Sequence, residues 1–297
     1  MHSSKALSKH LRRAYGSEQL ARQISRALLS PPRFFCIKEV KNPQMLRGAV
    51  VDSALAIRQW EGLCAAFRRA GVEISTVEPV AGLEDMCFAA NQSFAGIDHE
   101  ERSFAVLSRM LHRSRRDEVE PFACWYSEHG YRILDLGLEG EDFLEGGGDL
   151  LWSPNWEAVW AGFGHRSTRA AVEQFARLME SMGFEVRLLE LVDPYFYHLN
   201  LCLAPLSPDS LLVYPGAFSP GTMSTIRECA NVYEVSREDA LQFVCNGISV
   251  NGYYIAPRLS RQLEQVLGIE GIEPITVDLS EFHKAGGSAA SLKMLLP

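Results

Sequence analysis

The chain has 297 residues, with 29 Lys and Arg against 37 Asp and Glu, for a formal charge of −8 with histidine neutral. At 47% hydrophobic and 22% charged it has enough apolar surface to bury a core, which excludes a disordered chain. The acidic balance argues against nucleic acid as a partner, and no apolar run reaches the ~18 residues of a membrane span.

In chain order, residues 1–33 carry seven Lys or Arg against the single acid Glu18. The spacing predicts an amphipathic helix over residues 19–29, laid on the domain surface and ended by Pro31-Pro32. An organellar transit peptide is the alternative reading of such a basic, serine-containing start. The expected division is a basic helical extension, 1–32, followed by one domain, 33–297.

Three segments then share one arrangement of helix, glycine and strand. Asp52 or Ser53 caps a helix with Leu55, Ile57, Trp60, Leu63, Cys64 and Phe67 inward, Gly71 ends it, and residues 72–77 read as a strand. Thr168 caps a second, with Ala171, Val172, Phe175, Leu178 and Met179 inward, stopped by Gly183 before a strand over 184–191. A third runs over 259–267, with Gly268 as its stop and an extended segment over 274–279. Further strands are expected at 104–107, 211–214 and 248–255. Helices alternating with strands make an α/β chain.

The chemistry-bearing candidates are few. Seven cysteines are scattered with no CxxC pair, as expected of reduced thiols in a cytoplasmic protein. The eight histidines are dispersed and no HExxH occurs, so neither a metal nor an organic cofactor is expected. Glu145-Gly146-Gly147-Gly148-Asp149 sets three glycines between two carboxylates, which lets the backbone approach closely while both acids stay near. His198 lies in an aromatic, extended stretch, where a histidine is more often a satisfied core residue. A carboxylate such as Glu145 beside it would orient the imidazole and raise its pKa.

Taken together, a series of stretches resembles the guanidine-modifying (pentein) superfamily of arginine deiminases, dimethylarginine dimethylaminohydrolases and amidinotransferases. They are Asn42-Pro43-Gln44-Met45, Asp85-Met86-Cys87-Phe88-Ala89-Ala90-Asn91, Arg115-Arg116-Asp117-Glu118 and Phe143-Leu144 with the glycine-rich segment. Gly164-His165-Arg166-Ser167, Tyr197-His198-Leu199-Asn200, Tyr214-Pro215-Gly216-Ala217-Phe218, Cys245-Asn246-Gly247 and Lys284-Ala285-Gly286-Gly287-Ser288 follow. The resemblance covers roughly residues 33 to 297. It implies a five-fold pseudosymmetric α/β-propeller of repeated ββαβ units around a central site, about sixty residues to each unit.

The resemblance also implies a mechanism, in which a cysteine thiolate attacks the guanidinium carbon to form a covalent amidino intermediate. His198 would be the general acid/base and Glu145 its partner. Asp85, Asn91, Arg115 and Asp149 would lie along the substrate cavity, with Asn42 and Arg166 gripping the amino-acid end. The implied ligand is a small guanidino or ureido amino acid, and the oligomeric state is left open.

Three positions depart from that pattern. Ser291 stands where the family carries its nucleophilic cysteine, and a serine hydroxyl ionises far less readily than a thiol. Such a serine arises by engineered replacement or by natural loss of the chemistry. Asn91 and Asn200 stand where deiminases place guanidinium-binding aspartates. An asparagine offers a donor and an acceptor but no charge, so a less cationic reacting end is expected. The implied enzyme is a hydrolase of C–N bonds silenced at Ser291. The alternatives are an amidinotransferase and a silent relative that binds a ligand or partner.

Overall fold

The computed structural model describes residues 24–45 and 48–296. Its strands form five three-stranded sheets of one design. Strands β1 (Arg26–Leu29) and β2 (Glu73–Thr76) take their third member from the far end of the chain. The next two sheets are β3 (Ser93–Ile97), β4 (Ser103–Leu107) and β5 (Arg132–Leu134), then β6 (Leu150–Trp152), β7 (Ala158–Phe163) and β8 (Glu185–Glu190). After them come β9 (Leu203–Ser207), β10 (Ser210–Val213) and β11 (Asn231–Glu234), then β12 (Ile248–Val250), β13 (Tyr253–Ala256) and β14 (Glu273–Thr276). Strand β15 (Met294–Leu296) closes the ring by pairing antiparallel with β1.

In every sheet the first pair is antiparallel and the second parallel. A parallel pair needs a crossover, and a helix supplies it each time. These are α1 (Ser53–Arg69), α2 (Val119–Glu128), α3 (Arg169–Ser181), α4 (Pro220–Cys229) and α5 (Arg261–Glu270). The result is the expected α/β-propeller of five ββαβ units, the first of them closed by the C-terminal strand.

The caps are local chemistry. Asp52 Oδ1 accepts from the Leu55 amide at 2.9 Å, Thr168 Oγ1 from Ala171 at 3.3 Å and Ser260 Oγ from Leu263 at 3.2 Å. Helix α1 buries Leu63, Cys64 and Phe67 as expected, while Ile57 is exposed and Ala56 and Ala66 take its place in the core. Together with Leu29, Phe35 and Phe282, that face forms one of the apolar clusters under the helices. Each such buried side chain contributes about 1.5–3 kcal/mol of transfer free energy.

Three expectations are corrected. Residues 26–29 are a strand between β15 and β2, not the end of a helix, so the domain begins before residue 33. The start of that expected helix, 19–23, lies outside the described residues. The third helix runs through Gly268 and stops at Gly271, whose φ of 68° is the left-handed cap. The single strand expected over 248–255 is a hairpin, because Asn251 and Gly252, at φ 47° and 83°, turn the chain in two residues.

Candidate active site

The five first strands, β3, β6, β9, β12 and β15, surround the propeller axis, and six of the candidate residues, Asn91, Glu145, Asp149, His198, Asn200 and Ser291, sit just before their N-terminal ends. Asn91 precedes β3, and a single helical turn, Gly146–Asp149, leads into β6. His198 is extended, at φ −126° and ψ 150°, between two 3₁₀ turns ahead of β9. Asn246 ends the turn before β12, and Ser291 lies in the turn Ala289–Leu292 before β15. Five equivalent junctions thus converge on one place from remote parts of the sequence.

They enclose a small pocket of about 30 Å³, lined by seven of the ten predicted residues: Asn42, Asp85, Asn91, Arg115, Arg166, His198 and Ser291. Glu145 and Asp149 lie behind the imidazole. Asp149 Oδ1 is 3.1 Å from His198 Nδ1, off the ring's hydrogen-bonding direction, and Glu145 Oε2 is 3.3 Å from Nε2. Burial opposes the imidazolium, but Asp149 and Glu145 outweigh it and hold the His198 pKa above its ordinary value.

Burial likewise works against the Glu145 carboxylate, yet Arg166 and His198 keep its pKa well below the usual range. Arg166 Nη1 donates to Glu145 Oε2 at 2.8 Å, and Nη2 to the Lys41 carbonyl at 3.0 Å. Asn91 Nδ2 faces His198 Nε2 at 3.1 Å. A protonated ring requires the Asn91 carboxamide to turn its oxygen to that nitrogen, so its orientation follows the ring's charge. Gly148 makes this packing feasible: a Cβ there would stand 2.5 Å from Asn91 Nδ2 and 2.9 Å from His198 Cε1.

Several predicted residues have other occupations than those expected. Asp149, expected to touch substrate, accepts from the Leu199 amide at 3.1 Å and from Ser167 Oγ at 2.6 Å. Asn200 does not line this pocket; it faces a separate axial cavity, with Nδ2 donating to the Gly147 carbonyl at 3.1 Å. Asn42 Oδ1 accepts from the amides of Gln44 and Met45 at 3.0 and 3.1 Å, shaping a turn over the pocket. Arg115 is committed to Glu118 through Nε and Nη2, at 3.0 and 2.9 Å. Burial pushes Glu118 up to about 7 against the pull of Arg115.

Two residues escaped the sequence reading. Lys41, its side chain 3% exposed, sets Nζ 3.1 Å from Asp85 Oδ2 and 3.4 Å from Glu84 Oε1. Its two nearer carboxylates lie more than forty residues away in the sequence, and the neighbouring Glu39 reaches it only at 4.0 Å. Asn246 accepts from Ser288 N at 2.8 Å and from Ser291 Oγ at 3.1 Å, and donates to the Asn200 carbonyl at 2.7 Å. Its signal was its place in the Cys245-Asn246-Gly247 stretch.

Comparison with known proteins places these features among relatives. Residues 41–293 match the family described as N,N dimethylarginine dimethylhydrolase, eukaryotic. The chain is 35% identical over 264 residues to the N(G),N(G)-dimethylarginine dimethylaminohydrolase of Mycobacterium tuberculosis, covering 89% of this chain and 83% of that protein. It is 34% identical over 274 residues to the bifunctional arginine dihydrolase/ornithine cyclodeaminase ArgZ of Synechocystis, covering 91% of this chain but 37% of that longer protein. A solved structure of the ArgZ N-terminal domain, a cysteine-to-serine variant bound to substrate, superposes with a TM-score of 0.84 at 32% identity, covering 91% of this chain and 97% of that one.

Proposed function

Because the chain belongs to the N,N dimethylarginine dimethylhydrolase family, within the guanidine-modifying superfamily, we propose that its pocket takes an arginine-like guanidino or ureido compound and that Ser291 silences the family's covalent step. The observation that carries this reading is the hydroxyl of Ser291, which shares a pocket with His198 and donates its proton to Asn246 Oδ1 rather than to a base. An alcohol without a base ionises too little at neutral pH to attack a guanidinium carbon.

The remaining machinery suits acid catalysis. Held between two carboxylates, His198 carries the proton that a departing amine needs. With a thiolate at position 291, a C–S bond would form to the guanidino carbon. The C–N bond would break as His198 protonates the leaving nitrogen, and water would then release the adduct. Ser291 removes the first of these steps and leaves binding intact.

The charge in the pocket bears on the ligand. Asp85 is the one carboxylate among the described lining residues, and Lys41 already pairs with it. Asn91 adds no charge. A ureido or partly neutral head group therefore suits the site at least as well as a fully cationic guanidinium. At about 30 Å³ the pocket is far smaller than the roughly 300–1,000 Å³ of ordinary ligand sites, so an arginine-sized compound needs its lining side chains to shift.

Ser291→Cys, assayed against a panel of guanidino and ureido amino acids for released ammonia, amine or urea, tests the reading. Turnover by the variant and none by the parent chain supports it. Silence of the variant together with no calorimetric binding of any panel member by either protein defeats it. For the head group, arginine binding tightly while citrulline-like compounds fail to bind would contradict the preference.

A further inference from the structure

Beyond the pocket, the propeller axis opens into a second cavity of about 510 Å³. All five first strands contribute to its wall, through residues such as Phe94, Leu150, Leu206, Ile248 and Leu295. Among the described residues lining it, Lys293 alone is charged. Its backbone is extended, at φ −143° and ψ 154°, so alternation sets Lys293 on the same face of the chain as Leu295, and both line the cavity.

Lys293 is 9% exposed, and among the described residues its ammonium has no hydrogen-bond or ion-pair partner. Burial alone depresses it, to about 8, with no carboxylate pulling the other way. Asn200 Oδ1, on a residue at the inner end of the same cavity, is also without a partner among the described residues. A buried cation left unpaired is costly and is ordinarily matched by an opposite charge. An apolar wall with one such cation describes the complement of an amphipathic anion.

We propose that the axial cavity is a binding site for a small amphipathic carboxylate, its apolar body against the first-strand wall and its head group on Lys293 Nζ. The volume falls in the range that buries ligands of drug-like size, which accommodates a fatty acid of about twelve carbons. The site is separate from the pocket at Ser291 and does not depend on that pocket's function.

Calorimetry of the full chain with dodecanoate, and with dodecanol as the uncharged control, tests this. The expected result is one-to-one dodecanoate binding that weakens at least tenfold in Lys293→Met, with dodecanol bound equally by both proteins. A midpoint of thermal unfolding at or above the parent's confirms that the variant folds. Should the variant fail to fold, reductive methylation of the parent protein read by peptide mass spectrometry replaces it, with Lys293 protected by dodecanoate and not by dodecanol. Equal affinity of both proteins for dodecanoate, or absence of protection, overturns the proposal. So does failure of dodecanoate to bind the full chain.

Discussion

Across 3.1 Å the hydroxyl of Ser291 gives its hydrogen bond to Oδ1 of Asn246, the same oxygen that accepts from the Ser288 amide. One buried carboxamide thus ties the turn before β15 to the turn before β12, and through its nitrogen to the Asn200 carbonyl before β9. Replacing it by alanine leaves two buried partners, Ser288 N–H and the Asn200 carbonyl, unsatisfied. Asn246→Ala is expected to cost about 2–4 kcal/mol, read as a lower denaturant midpoint at unchanged slope.

Gly148 is the point where backbone and imidazole meet. A methyl group added there cannot fit without displacing His198 or Asn91. Gly148→Ala should lose about 1–3 kcal/mol of stability from overpacking. The same variant should weaken binding of the arginine-like ligand, measured by calorimetry alongside unfolding.

The proton on His198 makes a signed prediction. A group whose pKa is raised on folding contributes stability that is complete below its ordinary value, ~6.5, and disappears as pH climbs through the raised folded value. Wild-type stability should therefore fall relative to His198→Gln as pH rises above ~6.5. Imidazole NMR should show the ring still protonated at a pH where a free histidine is neutral. A ring neutral by pH 6 would contradict the two-carboxylate clamp.

Helix α5 offers a paired test of its corrected end. Gly268 lies inside the helix, and a Cβ there meets nothing within 4 Å. Gly268→Ala is expected to stabilise by about 0.5–1 kcal/mol. Gly271, at φ 68°, has the same open space but a left-handed backbone, so Gly271→Ala should destabilise by about 1 kcal/mol. Opposite shifts in melting temperature would show both.

Much of this was legible in the sequence where the signal was local or motif-borne. The caps at Asp52 and Thr168 and the apolar stripes after them located two crossover helices. The ordered stretches around Glu145, His198 and Ser291 brought the propeller and its axial site into view. What escaped depends on distance in the chain. Residues 26–29 look helical beside their basic neighbours and become a strand because β2 and, more than 260 residues later, β15 pair with them. Gly268 and Gly271 both punctuate the same segment, and backbone conformation alone decides which one stops the helix. Asn200 and Asp149 resemble substrate ligands until the turn before β9 sets Asn200 on the second cavity and the turn before β6 sets Asp149 beside His198. Lys41 was invisible because its nearer carboxylate partners, Glu84 and Asp85, come from another loop.

The central claim is that Ser291 occupies the place of a nucleophile in an otherwise assembled site. Intact-protein mass spectrometry of Ser291→Cys, quenched in acid during exposure to guanidino substrates, tests it most directly. The account predicts an amidino adduct that maps to position 291, absent from the unaltered chain under the same conditions. An adduct or turnover in the unaltered chain, or a variant that binds ligand yet never forms the adduct, would contradict it.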